Sequence, residues 1–108
     1  KLLVVDDDPV SRKLVSLLLK HNGHSVSTAS NGKEGIKRAK SGSFDAILMD
    51  VHMPVMNGEE AVAAIRADSN EKMRQIPVIG MTASVLGIEK EKYLEAGMTD
   101  VVEKPVIF

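Results

Sequence analysis

The sequence predicts an α/β domain built on one parallel sheet. Two observations carry this. Apolar runs of four to six residues alternate with longer segments of helical period, the pattern of repeated βα units. Three of the strand-like runs also end on chemistry: Leu2-Leu3-Val4-Val5 leads into Asp6-Asp7-Asp8, Ala46-Ile47-Leu48-Met49 into Asp50, and Val101-Val102 into Glu103-Lys104-Pro105. An open parallel sheet places its ligand crevice at the C-terminal ends of its strands. Three acids and a lysine delivered to that edge predict a site for a divalent cation and a phosphoryl group.

The elements follow in order. The first strand is expected over Leu2 to Asp6. Asp8-Pro9 then supplies an N-cap and a proline at the first helical position. Val10, Leu14, Leu17 and Leu18 mark the expected inward face of the first helix, which Asn22-Gly23 ends. The second strand is Ser25 to Ala29. Ser30-Asn31-Gly32 starts the second helix, with Ile36 and Ala39 inward, closing near Gly42. The third strand is Ala46 to Met49. A loop over Met53 to Gly58 follows, in which Asn57-Gly58 is expected to supply a positive φ. It leads to a third helix with Ala61, Val62 and Ile65 buried. The fourth strand is Pro77 to Met81, and Gly80 within it predicts close packing of a helix. The fourth helix carries Glu89-Lys90-Glu91-Lys92 as a solvated face and stops at Ala96-Gly97. The fifth strand is Asp100 to Val102. Lys1 opens directly into a strand and the sequence stops soon after Lys104-Pro105, so the expectation is an excised domain, residues 1–108, cut before a fifth helix.

Composition narrows the function. A chain of 108 residues is one domain. The net charge of −1 gives no polyanion-binding surface, so direct nucleic-acid contact is not expected. There is no cysteine, hence no disulfide framework and no thiolate chemistry. No apolar stretch approaches the roughly 20 residues that span a bilayer, and no signal peptide is seen. The six methionines fall at core-like positions and read as packing.

The acids and the lysine suit one chemistry. Magnesium takes hard oxygen ligands, usually one or two carboxylates plus phosphate and water. Asp6, Asp7 and Asp50 supply these if the first and third strands are neighbours. A carboxylate is also a nucleophile toward phosphorus, and phosphoryl transfer then needs positioning and neutralisation of the equatorial oxygens. Thr82 offers a hydroxyl for one oxygen and Lys104 an ammonium for another. Asp8 reads as a helix cap. His52 reads as a solvent-facing loop residue, and His21 and His24 flank a turn.

Val4-Val5-Asp6-Asp7, the Asp50-to-Gly58 segment, Met81-Thr82-Ala83 and Glu103-Lys104-Pro105 resemble, in order and spacing, the four signature blocks of response-regulator receiver domains. The resemblance covers essentially the whole chain. It implies a flavodoxin-like doubly wound five-stranded sheet of order 2-1-3-4-5, with the switch point beside Asp7 and Asp50. By the same resemblance Asp50 is the phosphoacceptor and Asp7 a direct magnesium ligand. Asp6 acts on the metal through water, and the main-chain carbonyl of His52 is a further ligand. Thr82, Ala83 and Lys104 contact the phosphoryl group, with Lys104-Pro105 cis. The implied partner is a histidine kinase or histidine phosphotransfer protein, and the implied location is the cytoplasm or the cytoplasmic part of a larger kinase. Such a domain catalyses its own phosphorylation and dephosphorylation without being a stand-alone enzyme. The Ala83-to-Gly97 stretch, ending Glu95-Ala96-Gly97-Met98, is similar to receivers fused to hybrid histidine kinases.

Two departures stand out. Asn57 replaces the family's usual acidic residue. Val101 occupies a position that usually carries an aromatic whose rotamer reports phosphorylation, so that readout cannot operate here. The competing reading is a haloacid-dehalogenase-like phosphatase with Asp6 as nucleophile. Asp6-x-Asp8, then Thr82, then Lys104 follows its motif order, but Asp50 is left unexplained. A pseudo-receiver acting only as an interaction module is the third reading, and the intact acid set argues against it.

Overall fold

In the computed structural model, residues 1–51, 56–82 and 87–103 are described, with backbone alone for Gly87, Ile88 and Glu89. The elements are β1 (Leu2–Val5), α1 (Pro9–His21), β2 (Val26–Ala29), α2 (Gly32–Ser41), β3 (Ala46–Asp50), α3 (Gly58–Arg66), α4 (Glu71–Gln75), β4 (Val78–Thr82), α5 (Gly87–Ala96) and β5 (Asp100–Glu103). All five strands pair in parallel, in the order β2-β1-β3-β4-β5. The expected sheet and its strand order are therefore found.

Strand side chains alternate between the two faces. Leu3, Val5, Ile47 and Met49 enter one core with Ala39, Val62, Ile65 and Tyr93 from α2, α3 and α5. Val4, Leu48 and Met81 enter the other with Val15 and Leu19 from α1. The strands are thus covered on both sides, which is why they read as continuous apolar runs.

The inward face of α1 differs from the expected one. Val15, Ser16 and Leu19 are buried, whereas Val10, Leu14 and Leu17 are 76%, 49% and 55% exposed. This helix carries two apolar stripes, and periodicity alone cannot choose between them. Asp8 accepts from the Val10 amide and fixes where the first turn begins, and packing of Val15 and Leu19 on Val4, Leu48 and Met81 settles which stripe faces inward. Ser16 Oγ lies in the buried stripe and meets no hydrogen-bond partner among the described residues. Ser16→Ala is expected to stabilise the fold by about 1 kcal/mol, read as a higher urea midpoint. A lower midpoint would mean that the hydroxyl is paired.

Three further differences have local causes. The sequence missed α4, a single turn capped by Asn70, whose side chain accepts from the amides of Lys72 and Met73. Asn57-Gly58 is not a positive-φ turn; among the described residues only Gly23 and Gly97 have positive φ. Asn57 instead caps α3 in a reciprocal capping box with Glu60. At Gly80 the close neighbour is not a helix: a Cβ there would lie 2.5 Å from Met98 Sδ, in the turn before β5.

The edge of the molecule opposite the strands' C-terminal ends is closed by Arg66. Its guanidinium donates to the carbonyls of Gly97 (2.9 Å), Arg74 (2.9 Å) and Ile76 (2.5 Å), joining α3, α4 and the α5–β5 turn. Burial lowers its pKa below the usual arginine value, and the group remains charged at physiological pH.

Candidate phosphoryl-transfer site

The site is assembled by the sheet order. Because β1 lies beside β3, and β3 beside β4, the ends of these three strands are adjacent. Asp6 follows β1 directly and donates its amide to the Ala29 carbonyl, so the chain leaves the sheet only after this residue. Asp50 is the last residue of β3 and pairs with Met81, and Val51 N donates to Met81 O at 3.0 Å. Thr82 closes β4. Asp6, Asp50 and Thr82 are 0%, 5% and 2% exposed, whereas Asp7 is exposed.

One carboxylate oxygen from each of Asp6, Asp7 and Asp50 lies within 4.8 Å of the others. This is close to the about 4 Å that separates opposite oxygens around a magnesium ion. Three carboxylates at that spacing repel one another, and a hard divalent cation both fits the donor set and relieves the repulsion. Asp6 is held further, its Oδ1 accepting from the Asp8 amide at 2.9 Å.

The floor beneath the site depends on Gly58. Its amide donates to the Val51 carbonyl at 3.1 Å. A Cβ at this position would lie 2.7 Å from Val51 Cα and 2.8 Å from the Asp50 carbonyl oxygen. Only glycine lets the start of α3 approach the end of β3 this closely.

Four of the candidate residues, Asp6, Asp7, Asp50 and Thr82, are thus brought to one edge. His52, Ala83 and Lys104 lie outside the described residues. Val101 is buried, in the same core as Tyr93 and Met98. Sequence reasoning missed Arg12, whose Nη1 donates to the Asp6 main-chain carbonyl at 2.8 Å. Its signal was available only once the inward stripe of α1 was known, since Arg12 precedes Val15, Ser16 and Leu19 at helical spacing on that stripe.

The response regulator receiver domain model matches residues 2–107. The chain belongs to this family. Signal transduction histidine-protein kinase BarA of Shigella flexneri is 40% identical over 104 residues, which cover 96% of this chain and 11% of that protein. Hybrid signal transduction histidine kinase I of Dictyostelium discoideum is 38% identical over 111 residues, 98% of this chain and 6% of the relative. This receiver domain therefore spans only a small part of the kinases it matches. Among solved structures, chemotaxis protein CheY4 of Vibrio cholerae superposes with a TM-score of 0.90 at 35% identity, over 98% of this chain and 87% of that one. The receiver domain of a sensor histidine kinase from Pseudomonas aeruginosa, crystallised with a magnesium ion coordinated in its active-site cleft, gives 0.87 at 36% identity, over 98% and 85%. The receiver's function class is phosphorelay signal transduction, and nothing in these likenesses favours the phosphatase reading.

Proposed function

We propose that this receiver takes a phosphoryl group from a phosphohistidine onto Asp50, with magnesium bound by Asp6, Asp7 and Asp50. The observation that carries the reading is the convergence of three carboxylates, two of them buried, at the ends of β1 and β3. The magnesium-bound receiver from Pseudomonas aeruginosa supports it by likeness.

An Asp50 carboxylate oxygen attacks phosphorus in line, the O–P bond forming as the P–N bond breaks and the imidazole nitrogen taking up a proton. Magnesium, when bound, supplies positive charge against the phosphoryl oxygens and the carboxylates. Thr82 donates its hydroxyl to one phosphoryl oxygen, the Ala83 amide donates to the group, and the Lys104 ammonium neutralises another oxygen. The main-chain carbonyl of His52 completes the protein's metal ligands. In this reading Asp6 is a metal residue and not a nucleophile.

The donor is a histidine kinase or a histidine phosphotransfer protein, met in the cytoplasm. Among the described residues no helix is long and apolar enough to cross a membrane. The exposed stripe of Val10, Leu14 and Leu17 starts two residues past the Asp8 cap, beside the acid edge, and supports docking of a protein that presents its phosphohistidine there.

The test is transfer from a phosphorylated histidine phosphotransfer protein, with the modified residue mapped by mass spectrometry. Label is expected on Asp50, and label on Asp6 would refute the reading. Leu14→Glu is expected to slow this transfer about tenfold or more while leaving labelling by acetyl phosphate unchanged. Equal loss with both donors would remove the docking role.

A further inference from the structure

Arg12 stands where the helix pattern calls for an apolar residue. The buried stripe of α1 runs through Val15, Ser16 and Leu19, and Arg12 continues it, half-buried, at the end nearest the acids. Its guanidinium reaches back six residues to the main-chain carbonyl of Asp6 at 2.8 Å. That carbonyl belongs to the peptide joining Asp6 to Asp7. The Asp6 amide on the Ala29 carbonyl and the Asp8 amide on Asp6 Oδ1 also fasten this turn. In both of these a main-chain amide is the donor, whereas Arg12 donates from its side chain.

We infer that Arg12 is a positioning residue for the divalent-cation site, orienting the Asp6–Asp7 peptide so that both carboxylates turn toward Asp50. This rests on the phosphoacceptor reading above. A planar guanidinium fixes the direction of a carbonyl in a way that a lysine ammonium on a flexible stem does not. Groups that hold metal ligands from behind affect metal affinity about 10- to 100-fold. A bare positive charge at this place would act oppositely, since removing it would strengthen attraction for a cation. The sign of the effect therefore separates positioning from charge.

The experiment is an NMR titration of the metal-free chain with magnesium chloride at constant ionic strength, for the parent, Arg12→Ala and Arg12→Lys. It is run beside urea unfolding of the metal-free proteins and Asp50 labelling by acetyl phosphate. Arg12→Ala is expected to raise the magnesium Kd about tenfold, with Arg12→Lys between it and the parent. At saturating magnesium both variants should regain the parent's labelling rate. A purely structural arginine would lower the urea midpoint and leave the magnesium Kd unchanged, and a purely electrostatic one would give tighter binding in Arg12→Ala. Either result overturns the inference. Should Arg12→Ala fail to fold, Arg12→Lys makes the same comparison, and a Kd equal to the parent's would again overturn it. A parent chain that does not saturate with magnesium brings down the site reading and this inference together. A parent that saturates beside unaltered variants brings down the inference alone.

Discussion

Asp50→Asn is expected to reduce labelling by acetyl phosphate to below about one thousandth of the parent rate, because an amide has no carboxylate oxygen to attack phosphorus. The loss should occur without unfolding. Asp50 is 5% exposed and shares its surroundings with Asp6 and Asp7. Converting one of three neighbouring carboxylates to a neutral isostere relieves repulsion worth on the order of 1 kcal/mol at the effective dielectric of a protein edge. The variant should therefore melt at or above the parent temperature in metal-free buffer while remaining unlabelled. Intact-mass and peptide mass spectrometry give the readout. Substantial label on the variant, or label on Asp6 in the parent, would return the phosphatase mechanism to consideration.

The features legible in the sequence were those that depend on local chemistry. Asp8-Pro9 announced the start of α1, and Asn22 and Gly23 its end, with Gly23 taking the positive φ of 90°. The acids could be assigned to strand ends because each apolar run stops at them. The face of α1 was not legible, since a helix with apolar residues at 10, 14 and 17 and also at 15 and 19 offers two equivalent solutions. Its orientation is settled by tertiary contacts, namely packing on Val4, Leu48 and Met81 and the reach of Arg12 to Asp6. The role of Gly58 was hidden for the same reason. Its use is the absence of a Cβ against Val51 and the Asp50 carbonyl, a contact between elements that no local pattern encodes. The helix α4 was invisible because five residues carry too little periodicity, although Asn70 and the buried Met73 mark it afterwards.

Magnesium is expected to raise the melting temperature of the parent by about 10 °C at a concentration 100 times its Kd. The arithmetic is direct: a ligand that binds only the native state adds about 2.7 kcal/mol at that ratio, and a domain of this size gains roughly 4 °C per kcal/mol. The unfolded chain does not hold Asp6, Asp7 and Asp50 within reach of one ion, so the linkage falls on the folded state. Asp7→Asn should remove most of the shift. Asp7 is exposed, so its substitution should change the metal-free stability by no more than about 0.5 kcal/mol, and toward greater stability because one repelling charge is gone. Asp6→Asn tests a different balance. Asp6 is fully buried and accepts the Asp8 amide through Oδ1, an acceptor that asparagine retains. Melts in magnesium chloride and in sodium chloride of equal ionic strength separate a bound ion from general screening. A specific site gives the shift in magnesium alone and loses it in Asp7→Asn. An equal rise in sodium chloride, or an undiminished magnesium shift in Asp7→Asn, would show that the three carboxylates do not share an ion.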